Sequence, residues 1–129
     1  MVETELLLNE AKERIVNGKI LLKNERYNLC VSETYYAMFY GAKALVSLEN
    51  IAPKTHTGTM SEFSKHYVKT KTFPINLARK YFQFEENRNK ADYDVIVKFN
   101  KTKAESSLED ANSFIKECEK IIKEKIMIK

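Results

Sequence analysis

The sequence predicts an all-α fold, an antiparallel up-and-down bundle of four long helices plus one short helix. Three observations predict it. Only three glycines and two prolines punctuate 129 residues, so the elements must be few and long. Apolar residues recur at three- and four-residue spacing along most of the chain, which is the period of one helical face. Thr102, with Glu105 three positions on, forms a capping box ahead of a sustained heptad-like run.

The first helix is expected from about Glu3 to Glu25, with Leu8, Ala11, Ile15, Gly18 and Leu22 inward. A second runs from near Asn28 to Glu49 or Asn50. Its seam of Cys30, Thr34, Ala37, Gly41, Ala44 and Leu48 is built mostly of small residues, which let a neighbouring helix approach closely. Tyr35, Tyr36, Phe39 and Tyr40 surround that seam, so this helix should be central or form an oligomer interface. Ile51 to Gly58 reads as a connector punctuated by Pro53 and Gly58. A short helix follows from Thr59 to Val68, carrying Met60, Phe63 and Tyr67. Pro74 suits the first position of the next helix, which carries Leu77, Tyr81, Phe84 and Arg88 and fades at Ala91 to Tyr93. Val95, Val97 and Phe99 alternate like a strand, but a lone strand has no pairing partner, so an extended loop is expected. The last helix presents Ala104, Leu108, Ala111, Ile115, Cys118 and Ile122.

At 43% hydrophobic and 31% charged residues, the chain suits one folded domain over residues 1–129 rather than a disordered segment. No apolar run reaches the roughly 18 residues that a membrane helix needs. The start, Met1-Val2-Glu3-Thr4-Glu5, is acidic and lacks a signal-peptide layout, so a cytoplasmic protein without membrane association is expected. Cys30 and Cys118 are too few for a disulfide framework or a zinc site and read as small core residues. His56 and His66 share no ligand spacing with them, so neither a metal nor a cofactor is expected, and His66 reads as surface. Charge is uneven. Between Lys54 and Lys103 eleven Lys and Arg face five Asp and Glu, whereas the remainder has eleven against thirteen. A positive middle suits an anionic partner, although a solvated lysine surface would show the same count.

Arg88 falls on the apolar stripe of Leu77, Tyr81 and Phe84, where a core residue would be expected. A guanidinium cannot be buried without acceptors or an anion. Asp92, one turn on, could pair with it; otherwise Arg88 awaits a ligand.

The order of motifs resembles a known family. Tyr35-Tyr36-Ala37-Met38-Phe39 followed by Ala42-Lys43-Ala44-Leu45 sits on a central helix; then come Lys54-Thr55-His56-Thr57-Gly58, Phe63, Arg88 with Ala91-Asp92-Tyr93, and a final helix with Phe114-Ile115. Nearly the whole chain is similar to a small stand-alone HEPN domain (higher eukaryotes and prokaryotes nucleotide-binding). The resemblance implies a helical bundle, usually a homodimer, often encoded beside a minimal nucleotidyltransferase in a toxin–antitoxin-like pair. Many such proteins are metal-independent ribonucleases whose motif is an arginine, a polar residue and, a few positions later, a histidine. Arg88 and Asn89 match the first two, but Tyr93 stands where the histidine is expected. A free tyrosine titrates near 10 and cannot shuttle a proton at neutrality as histidine does.

Three readings follow. The preferred one is a non-catalytic binding module that pairs with a nucleotidyltransferase and holds nucleotide or RNA through Arg88, Asn89, Asp92, Tyr93, Lys54 and His56. The second is a metal-independent ribonuclease with a modified site using Arg88, Tyr93 and His56. The third is a structural bundle in which Arg88 and Asp92 only stabilise the fold. A homodimer is expected to meet on the aromatic side of the second helix or near Arg88, and His56, Lys54 and Arg88 are expected around one cleft.

Overall fold

The structure, a computed structural model, describes the backbone of residues 2–93 and 98–128 and the side chains of residues 2–85 and 98–126. Helix α1 spans Val2–Lys23, α2 Tyr27–Ser47, α3 His56–Phe63, α4 Ile75–Tyr93 and α5 Lys101–Ile128. Helix α3 runs on into one π-helical turn, Ser64–Val68, closed by the Lys69 amide on the Ser64 carbonyl five residues back.

Side-chain pairs fix the directions. Thr4 meets Ser47 at one end of the first hairpin and Gly18 lies beside Thr34 further along, so α1 and α2 are antiparallel. Cys30 lies near Ala104, Gly41 against Ile115, and Glu49 beside Lys125, so α2 and α5 run parallel. Phe73 packs on Phe114 and Lys80 pairs with Asp110, so α4 runs against α5. Helix α2 touches α1, α3, α4 and α5 and is the axis of the bundle. Its small-residue seam explains the position: Cys30, Thr34, Ala37, Gly41 and Ala44 are all buried. A Cβ added at Gly41 would lie 2.7 Å from Ile115 Cδ1 and 3.2 Å from Cys118 Sγ.

Phe63, Tyr67, Phe73, Tyr81 and Phe114 fill the space between α3, α4 and α5, with neighbouring ring centroids 4.8–6.1 Å apart. Each such ring contributes about 1.5–3 kcal/mol through burial. Cys30 and Cys118 are free and buried, and burial pushes the Cys30 thiol up to about 11. No described helix is long and apolar enough to cross a membrane.

The expected elements are present, with corrections at their ends and in their exposure. The short helix begins at His56, not Thr59, so the connector closes at Thr55. The Thr55 hydroxyl caps it by accepting the Gly58 amide at 2.8 Å, and Gly58 is a helical residue rather than a breaker. Pro74 lies one residue before α4 rather than inside it. The cap of α5 is Asn100, whose side-chain oxygen accepts the Lys103 amide at 2.8 Å; Thr102, expected as the cap, is already inside the helix. Residues 94–97 of the expected extended loop lie outside the described residues. His66 is not simple surface: it is half-buried between Glu49 and Glu62, at 3.9 and 3.4 Å. On the aromatic side of α2, Tyr35 and Phe39 are buried within the protomer, whereas Tyr36 and Tyr40 stay half-exposed.

At the far end of α2 a polar clasp joins three elements. The Tyr67 hydroxyl lies 2.7 Å from both the Leu45 carbonyl and Glu49 Oε2, and Lys125 Nζ donates to the same carboxylate oxygen at 3.0 Å. The Tyr67 hydrogen bond, with help from Lys125, holds the Glu49 carboxyl below its ordinary value. A depressed carboxylate stabilises the fold above its unfolded pKa, about 4.3, and that contribution is lost as pH falls through the lower folded value. Glu49→Gln should therefore cost about 1 kcal/mol at pH 7, and the cost should shrink steadily as the pH is lowered below about 4.3 in melting curves. A cost independent of pH would show that the clasp does not depend on the charge.

Candidate functional site

Among the described side chains, a cluster around the sequence-predicted His56 forms where the first residue of α3 meets the middle of α2. Thr55 caps α3 from extended backbone, which sets the helix start and turns the His56 ring toward α2. There the imidazole lies flat on Phe39, with centroids 4.1 Å apart and planes within 7°. Its Nδ1 is 2.7 Å from the Tyr35 hydroxyl, and the edge of Tyr36 closes one side at 6.0 Å. Tyr35 and Phe39 are one turn apart on α2, so a single face of that helix supplies both the hydrogen bond and the stacking surface.

Lys43 brings positive charge to this cluster. Lys43 Nζ lies 5.7 Å from the Phe39 ring centroid, within cation–π range. Lys54, two residues ahead of His56, is exposed. The Arg14 guanidinium sits 5.1 and 5.5 Å from the rings of Tyr36 and Tyr40, but Glu10 and Glu33 neutralise it at 2.9 and 3.2 Å. Lys43 and Lys54 form no ion pair among the described residues.

Tyr35 also reaches α4, with Tyr81 at 6.2 Å. The Tyr81 hydroxyl is fully buried and has no hydrogen-bond partner among the described residues. Burial, then the neighbouring Tyr35, holds that phenol well above the ordinary tyrosine value, so it stays protonated. Arg88 lies about two turns beyond Tyr81 on α4, and Asn89, Asp92 and Tyr93 complete that helix. The side chains of these four lie outside the described ones, so His56 and Lys54 are the expected site residues whose surroundings can be given. No group of three or more His, Cys, Asp or Glu among the described residues could hold a metal ion.

Sequence reasoning picks out His56 but misses its partners Tyr35, Phe39 and Lys43. The signal is present: Tyr35, Tyr36, Phe39 and Tyr40 are more aromatics than a small-residue seam needs. An interface between copies is the expectation they raise, whereas the histidine of the next helix takes up part of that surface.

Comparison with known proteins agrees with this architecture. The HEPN domain family model matches residues 4–121, and the chain belongs to that family. "Putative toxin MJ0142" of Methanocaldococcus jannaschii is 32% identical over 127 residues, covering 98% of this chain and 86% of the relative. A UPF0332 protein of Thermotoga maritima is 32% identical over 114 residues, covering 88% and 86%. A second Methanocaldococcus protein, "Putative toxin MJ0605", is 33% identical over 122 residues, covering 95% and 90%. In fold, the chain is similar to the crystal structure of TT1696 from Thermus thermophilus, with a TM-score of 0.80 at 13% identity over 93% of this chain and 98% of that one.

Removing the Tyr35 hydroxyl tests the cluster. Tyr35→Phe should lower stability by about 1 kcal/mol and shift the His56 ring resonances in NMR, while Lys54→Ala leaves both unchanged. Unchanged His56 resonances in Tyr35→Phe would mean that the phenol does not position the ring.

Proposed function

We propose that the chain is a non-catalytic HEPN binding module that holds a nucleotide or RNA and pairs with a minimal nucleotidyltransferase in a toxin–antitoxin-like system. The observation that carries this reading is the tyrosine at position 93, where the family motif has its histidine, together with the placement of His56. Its Nδ1 is engaged by the Tyr35 hydroxyl and its face lies on Phe39, so one nitrogen and one ring face are committed to structure. The Tyr35 bond orients the ring rather than disarming it, and His56 stands on α3 rather than at position 93 of α4, so the motif's proton shuttle is not carried over. Lys43, Lys54 and the positive stretch from Lys54 to Lys103 support recognition of an anion.

In this reading Arg88 grips phosphate in a two-pronged hydrogen bond and Asn89 and Asp92 orient it. Tyr93 stacks on a base, and His56 with Lys54 closes the site from α3. The two Methanocaldococcus relatives whose names carry the word toxin support the pairing with a neutralising partner. Homodimerisation near the end of α4 would bring two Arg88 segments together.

Incubating the protein with total RNA in EDTA, and titrating a short fluorescent RNA and ATP, tests the proposal. Wild type should leave RNA uncut and bind at least one probe saturably, and Arg88→Ala should weaken that binding about tenfold or more without lowering the melting midpoint. Tyr93→His should then introduce slow, metal-free cleavage. Cleavage by wild type that Arg88→Ala abolishes would replace this reading with the modified ribonuclease. Absence of binding together with a lower midpoint in Arg88→Ala would leave the purely structural bundle.

A further inference from the structure

Helix α1 carries two apolar faces. One, with Thr4, Leu8, Ala11, Ile15 and Gly18, is buried against α2 and α5. On the other, Val2, Leu6, Val16 and Ile20 are 72%, 63%, 47% and 54% exposed. At about 100° per residue these four fall within roughly 80° of one another, on the side opposite Ala11 and Ile15. No described element covers them. Four large aliphatic side chains in one stripe on a single helix differ from the scattered exposed residues of an ordinary surface.

The stripe is also symmetric. Val2 and Ile20 are equidistant in sequence from Ala11, and so are Leu6 and Val16; Asn9 and Glu13 fill the middle at equal distances from the same residue. An antiparallel copy related by a two-fold axis near this point places Val2 against Ile20, Leu6 against Val16, and the Asn9 amide against the Glu13 carboxylate. Charge follows the same symmetry: Glu3 and Glu5 lie in the first half, Lys19 and Lys23 in the second, and all four are exposed and outside every ion pair among the described residues. Antiparallel pairing brings Glu5 beside Lys19 of the other copy on the same flank of the stripe, whereas parallel pairing would align like charges.

We propose that this outward face of α1 is a self-docking surface on which a second copy of the chain lays its own α1 antiparallel. It is a different surface from the α4 end discussed above and does not depend on the ligand reading. A shared two-fold contact on α1 and another near α4 would together build assemblies larger than a dimer.

Charge rescue, read as solution mass by light scattering and sedimentation over a concentration series, tests the idea. Wild type should show a concentration-dependent doubling in mass, which Leu6→Glu removes or moves to at least tenfold higher concentration with an unchanged melting midpoint for the dissociated species. Adding Val16→Lys to Leu6→Glu should restore the doubling, because each new glutamate would meet a lysine of the other copy. Within one chain the two sites are ten residues apart on the helix, too far to pair. Wild type that stays near its 15.1 kDa protomer mass at all concentrations overturns the proposal. So does a Leu6→Glu protein that associates like wild type, a double variant that is not rescued, or an apolar face that instead carries the protein onto anionic lipid vesicles. RNA and nucleotide binding are read separately, so failure here leaves the functional proposal to its own test.

Discussion

At Gly41 the side chains of α5 press so close to the backbone of α2 that one added carbon would lie 2.7 Å from Ile115 Cδ1 and 3.2 Å from Cys118 Sγ. The rest of the bundle depends on this approach. Because Gly41 and the alanines around it present almost no side chain, α5 can lie alongside α2 from Cys30 to Glu49 and bury Phe114, Ile115 and Cys118 at the contact. With α5 so close, α1 and α4 must pack on the remaining sides of α2. That leaves the aromatic side of α2 toward α3 and α4, where Phe63, Tyr81 and Phe114 complete the core.

The same helix positions the chemistry. One turn of α2 presents Tyr35 and Phe39 to the first residue of α3, and Tyr35 also meets Tyr81 on the helix that carries Arg88 further along. Half a bundle away, Glu49 just beyond α2 gathers Tyr67 of the π-turn and Lys125 of α5. The extra residue of a π-turn changes the phase of the helix and lets Tyr67 reach the Leu45 carbonyl as well as Glu49. Both ends of α3 are thus tied to α2 by a tyrosine hydroxyl, Tyr35 at His56 and Tyr67 at Leu45 and Glu49. This gives a short helix, too small to be stable alone, a fixed position.

Much of the fold is legible in the sequence because helical periodicity is a long-range signal repeated over many residues. The inward seams of α1, α2 and α5 agree with the buried residues except at Leu22 and Leu48, which are half-buried. What periodicity cannot supply are the ends, which single hydrogen bonds decide. Thr55 and Asn100 win as caps because their side-chain oxygens reach the amides of Gly58 and Lys103, whereas Gly58 and Thr102 look like stronger signals in the sequence. At the candidate site, His56 stands out as a lone histidine in a polar stretch. Its stacking on Phe39 is not legible, since it depends on how far the chain between α2 and α3 travels back along α2. The apolar excess is legible in the aromatics of α2, of which Tyr35 and Phe39 are covered and Tyr36 and Tyr40 half-exposed, but the exposed aliphatic stripe of α1 is not singled out by the sequence pattern.

Gly41→Val measures the central contact most directly. On helix propensity alone, valine at this position would stabilise α2 by a few tenths of a kcal/mol relative to glycine. The close approach predicts the opposite sign, a loss of about 1–3 kcal/mol from overpacking against Ile115 and Cys118, read as a melting midpoint lower by several degrees. A midpoint unchanged or raised in Gly41→Val would contradict the account, because α2 and α5 would then have room that the structure does not give them.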